Sequence, residues 1–195
     1  MIITTEKVMR PRDPNDHYPT DAAVCIAGLR LIPDEPRLVL DPGCGSGAWG
    51  EAANRYVWTG GLGGCIVHGV ELRDVTPNPY YAEVIHENFL LWTPSMEYDA
   101  VIGNPPYKDA EAFIRAGMKA LRRGGYMVQL LRLAFLEGQR RRTGFWREFP
   151  LLQVAVCSKR PSFTGDGKTD ATAYAVFVWQ KGARPDYAKQ TFLDW

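Results

Sequence analysis

The stretch that decides the fold is Leu38-Val39-Leu40-Asp41-Pro42-Gly43-Cys44-Gly45-Ser46-Gly47. The three apolar residues at its start predict a short buried strand, and residues 48–53 after it predict a helix. The glycines between them let the backbone turn tightly and approach a ligand closely. A glycine loop between a first strand and a helix is the cofactor-binding geometry of doubly wound α/β folds.

A second apolar run, residues 66–70, is followed directly by Glu71. An acid at the end of this strand is placed to accept hydrogen bonds from ribose hydroxyls. The spacing Gly43-x-Gly45-x-Gly47 differs from the G-x-G-x-x-G fingerprint, which cradles a pyrophosphate. Asp41 at the head of the loop repels a phosphate and favours a cationic or amino-bearing ligand. S-adenosylmethionine, which carries a sulfonium, an amino group and a ribose, has these properties.

A stiff corner follows a third apolar run, and its sequence is Gly103-Asn104-Pro105-Pro106-Tyr107. The two prolines fix φ and remove two N–H donors, and Pro105 pushes Asn104 out of the α region. The Asn104 side-chain oxygen and the Pro105 carbonyl can accept the hydrogens of a target amino group, which draws the lone pair back onto its nitrogen. Tyr107 can stack on the flat group that carries the amine, as in enzymes that flip bases. The alternative is an ordinary proline turn with a half-buried tyrosine.

Strands and helices alternate along the 195 residues, which predicts a single α/β domain. We expect a doubly wound, mostly parallel Rossmann-like sheet of about seven strands with helices on both faces. The domain should span residues 17–182, after an N-terminal arm (1–16) and before a C-terminal tail (183–195). The remaining elements are helices near 20–31, 80–87 and 109–121 and strands near 126–131, 151–156 and 173–179. Thr20 is expected to be the N-cap of the first of these helices.

The cysteines and histidines argue against a metal site. The four cysteines show no C-x-x-C spacing and the three histidines are scattered, so we expect no metal and no disulfide framework. No apolar run approaches the roughly 18 residues of a membrane span, and the N-terminus lacks a signal-peptide pattern. We therefore expect a reduced, cytoplasmic setting, or the host cytoplasm if the protein is phage-encoded.

Charge is unevenly spread although the net charge is only +1. Residues 1–104 carry 7 Lys/Arg and 14 Asp/Glu, whereas residues 105–168 carry 13 and 5. Basic clustering of this kind, including Arg140, Arg141 and Arg142, is the footprint of a polyanion partner. A solvated helix face with arginines is the competing interpretation.

The glycine loop, the acid Glu71 and the Asn-Pro-Pro-Tyr corner together resemble motifs I, II and IV of class I S-adenosylmethionine-dependent methyltransferases that modify amino nitrogens. The sequence is most similar to the N6-adenine DNA methyltransferases over roughly residues 17 to 180.

The resemblance implies S-adenosylmethionine as the cofactor. It implies that the glycine loop lines the methionine part, with Asp41 near its amino group, and that Glu71 holds the ribose hydroxyls. Asn88 stands where the family usually has an Asp that bonds the cofactor adenine, and an ordinary turn role is the alternative. The full cofactor set is Thr20, Asp41, Gly43, Cys44, Gly45, Gly47, Glu71, Leu72, Asn88, Phe89 and Asn104.

The resemblance also implies a catalytic corner formed by Asn104, Pro105, Pro106 and Tyr107. Phe163 is similar in position to an aromatic that packs on the target base, with plain loop packing as the alternative. Substrate contacts are then expected from Tyr107, Phe163 and the arginines at 140–142. The implied activity is methyl transfer to N6 of a flipped adenine in DNA, with low or short-site specificity.

Other substrates and partners stay open at this stage. RNA bases or the glutamine side chain of a release factor would also suit the corner, although few residues precede the first strand for the helical domain of the latter enzymes. A non-catalytic nucleic-acid-binding partner subunit is a further alternative. The chain has little room for a target-recognition domain, so a recognition partner or a homodimer is compatible with the sequence.

Overall fold

The computed structural model describes residues 20–58, 64–76, 78–162 and 172–195. The strands are β1 (Leu38–Pro42), β2 (Ile66–Val70), β3 (Glu83–Ile85), β4 (Tyr98–Gly103), β5 (Leu121–Arg132), β6 (Gln153–Cys157), β7 (Tyr174–Gln180) and β8 (Lys189–Leu193). The helices are α1 (Ala22–Leu29), α2 (Ala48–Ala52), which continues as a π-helical turn (Ala53–Val57), α3 (Ala110–Ala120) and a short α4 (Trp146–Glu148).

Within the described residues, the eight strands form one sheet in the order β3-β2-β1-β4-β5-β7-β6-β8. The first five strands of this order run parallel. Strand β7 is antiparallel to both β5 and β6, and β8 is parallel to β6. Because β2 and β4 flank β1, the loops that follow these three strands emerge side by side at one edge of the sheet.

The sheet is covered on both faces, because successive apolar side chains of its central strands point to opposite faces and each face must be buried. Val39 belongs to a core cluster with residues of α1 and α2, whereas its neighbour Leu40 belongs to a second cluster with residues of α3. Ile102 and Val101 of β4 divide between the two clusters in the same way. The predicted doubly wound, mostly parallel fold is therefore confirmed.

Three local predictions were wrong. Residues 80–87, expected as a helix, contain β3, because a three-residue strand is too short to show a period and its pairing with β2 decides the structure. The expected tail at 183–195 contains β8, which completes the sheet beside β6. Asp21, not Thr20, caps α1, since its side-chain oxygen accepts from the Ala23 N–H at 2.8 Å. The expected arm, residues 1–16, lies outside the described residues. No helix in the described part of the chain is long and apolar enough to cross a membrane.

Candidate active site

A cavity of about 220 Å³ opens at the carboxyl ends of β1, β2 and β4. The loops after these three strands, residues 43–46, 71–73 and 104–109, supply most of its wall. The predicted site residues in its lining are Thr20, Gly43, Cys44, Gly45, Glu71, Leu72, Asn88, Phe89, Asn104 and Pro106. Its other lining residues are Ser46, Ala48, Trp49, Val70, Arg73, Glu87, Leu90, Lys108, Asp109 and Phe113. The sequence motifs, separated by up to 84 positions, thus meet around one space.

The glycine loop is a tight turn anchored on β2. The Gly43 N–H donates to the Val70 carbonyl at 2.6 Å, and the Gly47 N–H donates to the Cys44 carbonyl at 2.8 Å. Gly43 has a φ of 71° and Gly45 a φ of 54°, a left-handed backbone that disfavours other residues. The loop therefore presents bare backbone to the cavity.

Glu71 is the best-held charged side chain of the cavity. It is 5 % exposed and accepts from the Gly45 N–H at 2.9 Å and from the Arg73 N–H at 3.0 Å. The Arg73 guanidinium pairs with both carboxylate oxygens, through Nε at 2.9 Å and Nη2 at 3.2 Å. Burial raises the pKa of Glu71, but the hydrogen bonds from Arg73 and Gly45 outweigh it and hold that pKa below its ordinary value. Glu71 is thus an anion at neutral pH.

Asp41 is placed differently from the expectation, because it lies under the glycine loop and is not among the residues that line the cavity. It is 1 % exposed, and its Oδ2 accepts the Tyr81 hydroxyl at 2.6 Å. The same hydroxyl accepts from the Gly50 N–H at 3.0 Å. Burial raises the pKa of Asp41 to about 7, against the lowering effect of the Tyr81 hydrogen bond. Asp41 is therefore linked through the Tyr81 hydroxyl to the backbone of α2, beneath the glycine loop.

Asn104 connects the corner after β4 to the segment before α1. Its Nδ2 donates to the Thr20 hydroxyl at 3.1 Å, and both residues line the cavity. Pro105 is buried, and the Pro106 carbonyl accepts from the Asp109 N–H at 3.0 Å, which fixes the turn into α3. The corner thus places Asn104 at the cavity wall.

Tyr107 does not line this cavity. Its ring lies 5.7 Å from the Tyr174 ring, and the Arg132 guanidinium carbon lies 4.8 Å from its centroid. Desolvation, together with the neighbouring Tyr174, raises the pKa of Tyr107 well above its ordinary value. Arg132 ends β5 and Tyr174 begins β7. The Tyr107 side chain therefore packs against the ends of these two strands.

The cofactor-side residues Asn88 and Phe89 occupy the far wall. The Asn88 Oδ1 accepts from the Leu90 N–H at 3.0 Å, which is the bond of an ordinary turn, while Asn88 also borders the cavity. Phe89 is buried and packs on Phe113 with ring centroids 5.2 Å apart. Phe89 and Phe113, together with the exposed Leu72, give the cavity an apolar part of its lining.

The basic segment lies on the surface beside the cavity. An open depression of about 490 Å³ is bordered by four basic residues, Lys108, Arg115, Arg140 and Arg141, and by two acids, Asp109 and Glu111. Arg115 is paired with Glu111, and Lys108 and Asp109 line both spaces. Arg141 also donates to the Glu137 carbonyl at 2.9 Å. Arg142 is exposed and does not border the depression. Phe163 lies outside the described residues.

Sequence reasoning missed three residues that shape the site. Arg73 follows Glu71 by two positions, a spacing that could have suggested the ion pair. Tyr81 and Arg132 gave no local signal, because their partners are 40 and 25 positions away. No group of three or more His, Cys, Asp or Glu able to hold a metal ion occurs among the residues for which side chains are described.

The fold can be classified by comparison with solved structures. No protein-family model matches the sequence, and no curated protein is significantly similar to it. Among solved structures, a candidate class I S-adenosylmethionine-dependent methyltransferase of Listeria monocytogenes is similar, with a TM-score of 0.72 and 15% identity over 94% of this chain and 68% of that one. These values show that the chain has the fold of class I S-adenosylmethionine-dependent methyltransferases.

Two further similar structures are parts of type I restriction-modification systems. The modification subunit of a candidate restriction enzyme of Vibrio vulnificus has a TM-score of 0.63 at 16% identity and covers 89% of this chain. The methyltransferase subunit of Streptococcus thermophilus has a TM-score of 0.63 at 17% identity and covers 85%. This chain spans 45% of the length of each subunit.

Proposed function

We propose that this protein transfers a methyl group from S-adenosylmethionine to the exocyclic N6 amino group of adenine in DNA. One observation carries the proposal. A single cavity is lined both by the glycine loop with Glu71 and by Asn104 with Pro106. The first pair of features suits a nucleoside-bearing methyl donor, and the second suits an amino group, so donor and acceptor can meet.

The donor set of the cavity fits S-adenosylmethionine. Bare backbone at Gly43 and Gly45 allows the close approach that its methionine part needs. Glu71 offers an ionised carboxylate for ribose hydroxyls, and the apolar wall at Phe89 and Phe113 suits the adenine ring. When bound, this cofactor supplies an electrophilic methyl group.

The chain's own residues act on the acceptor. The Asn104 side chain lines the cavity, and its oxygen, together with the carbonyl of the buried Pro105 next to it, would accept the hydrogens of the target amino group. These acceptors would concentrate the nitrogen lone pair without a side chain that titrates near neutral pH. The rigidity of the two prolines keeps these oxygens in place, and orientation of this kind is a large part of catalysis. The proton leaves from the methylated nitrogen to water.

The basic depression supports DNA as the substrate. Lys108, Arg140 and Arg141 lie beside the mouth of the cavity, where phosphates of a strand entering the site would run. The likeness to restriction-modification subunits supports the same assignment.

Transfer of a labelled methyl group tests the proposal. Duplex DNA, single-stranded DNA, total RNA and release-factor protein are offered in parallel, and N6-methyladenine is sought in the digested DNA. Label only in RNA or in protein would overturn the DNA assignment, and no label in any of them would favour a non-catalytic subunit.

A matched pair of asparagine variants tests the catalytic corner. Asn104→Ala should lower transfer about a hundredfold or more while S-adenosylhomocysteine still binds. Asn54→Ala is the control, because Asn54 bonds the Tyr80 carbonyl away from the cavity. Full turnover in Asn104→Ala would remove the corner from the mechanism.

A further inference from the structure

The Glu71 carboxylate accepts four hydrogen bonds, and two of them come from the Arg73 guanidinium. Its Oε1 accepts from the Arg73 N–H at 3.0 Å and from Arg73 Nε at 2.9 Å. Its Oε2 accepts from the Gly45 N–H at 2.9 Å and from Arg73 Nη2 at 3.2 Å. An ionised carboxylate offers about four lone-pair sites, so each oxygen holds one backbone donor and one guanidinium donor and has no capacity left.

We propose that the Arg73 guanidinium is a latch that stands in for a vicinal diol on Glu71 and is displaced when the cofactor ribose binds. This inference rests on the proposed function, because it concerns the same cavity. Departure of Nε and Nη2 frees one lone pair on each oxygen of Glu71. The two neighbouring hydroxyls of a ribose need that number and that arrangement of acceptors. Arg73 thereby sets the affinity for the cofactor and its dependence on an intact diol.

The surroundings of the pair favour release of the arginine over movement of the acid. The side chain of Arg73 is 28% exposed, whereas that of Glu71 is 6% exposed. The backbone donors of Gly45 and Arg73 remain on Glu71 after the guanidinium leaves, and they hold the carboxylate in place. Arg73 lines the cavity next to Leu72, which is 67% exposed. Solvent can therefore rehydrate the released guanidinium, and this hydration offsets part of the cost of breaking the pair.

Calorimetric titration tests the latch. The ligands are S-adenosylhomocysteine and its 2′,3′-dideoxy counterpart, and the proteins are the full chain and its Arg73→Ala variant. Removal of the competitor should tighten the binding of S-adenosylhomocysteine about tenfold, which equals about 1.4 kcal/mol. The dideoxy ligand should gain little, since it does not need the freed lone pairs. Arg73→Lys, which cannot reach both oxygens through two nitrogens, should fall between the two proteins.

The controls separate the latch from the cofactor assignment. Arg55→Ala removes an arginine paired with Glu51 at 3.0 Å outside the cavity, and it should leave both affinities unchanged. Thermal melts confirm that each variant is folded. Equal or weaker binding of S-adenosylhomocysteine by folded Arg73→Ala would overturn the latch while the cofactor assignment stands, and so would an equal gain for both ligands. Absence of binding by every protein would overturn the cofactor assignment and the latch together.

Discussion

Replacing Asp41 by Asn should remove a pH dependence that the wild-type protein carries in its stability. Asp41 is 1 % exposed beneath the glycine loop, and burial raises its pKa from 3.8 to about 7. Between these two values the folded protein holds a proton that the unfolded chain has released. Because the folded state binds more protons, the free energy of unfolding falls as the pH rises through this window and levels off above it.

The structure sets the size of the effect. Each pH unit between the two pKa values corresponds to about 1.4 kcal/mol, so the interval from 3.8 to about 7 gives on the order of 4 kcal/mol for this fully buried group. Asparagine has the same shape and no charge, and its Oδ1 can still accept the Tyr81 hydroxyl. The variant should match the wild type near the lower limit of the window and exceed it in stability above the upper limit.

Urea unfolding at a series of pH values measures this difference. Asp99→Asn is the control, because Asp99 has the opposite shift. Burial raises the pKa of Asp99, but hydrogen bonds from Arg122 and from the backbone of Leu38 and Arg37 outweigh burial, so the pKa lies below its ordinary value. Its stabilising effect is present above its ordinary pKa and is lost in acid, so Asp99→Asn should lose stability at neutral pH. Parallel stability curves for the wild type and Asp41→Asn between about pH 4 and pH 7 would refute the reasoning.

Two further predictions concern the loop and the basic surface. Gly47→Ala should lose about 2 kcal/mol or more in urea unfolding, because Gly47 has a φ of 88° and an added Cβ would lie 2.9 Å from the Tyr81 ring. Gly144→Ala, where nothing lies within 4 Å, should be nearly neutral, and equal losses would contradict this explanation. Joint replacement of Arg140 and Arg141 by Gln should reduce the salt dependence of DNA binding by about two charges without changing the affinity for S-adenosylhomocysteine, because neither residue lines the cavity. An unchanged slope in a salt titration would exclude this surface as a DNA contact.

The architecture and the position of the site could be predicted because strong local patterns encode them. Apolar runs that end in a glycine loop, in Glu71 and in Asn104 mark three parallel strands. The sheet order places β1 between β2 and β4, so the ends of these strands must converge. Ten of the predicted site residues accordingly line one cavity.

The remaining features depend on contacts that no local pattern contains. The three residues of β3 are a strand only because β2 offers them hydrogen bonds. Tyr107 was expected to face the target, but its position is set by Tyr174 and Arg132 from two other strands. The pairing of the Arg73 guanidinium with both oxygens of Glu71 also depends on side-chain geometry, because the two-residue spacing suggests an ion pair but is equally compatible with two solvated charges.

Tyr81 shows why the glycines near the loop cannot all be assigned to a ligand. An added Cβ at Gly50 would lie 2.3 Å from its ring, and one at Gly69 would lie 3.1 Å from it. These glycines, with Gly47, make room for a tyrosine whose hydroxyl holds Asp41, whereas Gly43 and Gly45 face the cavity. The glycines of this region therefore have two roles. Some make room for the Tyr81 ring, and others expose backbone to the cavity, and only the latter concern a ligand. A sequence that kept Gly43 and Gly45 but replaced Tyr81 by a small residue would no longer need glycine at 50, because every close neighbour of an added Cβ at that position belongs to Tyr81. Position 69 would still need glycine, because an added Cβ there would lie 2.7 Å from the Cys44 Sγ.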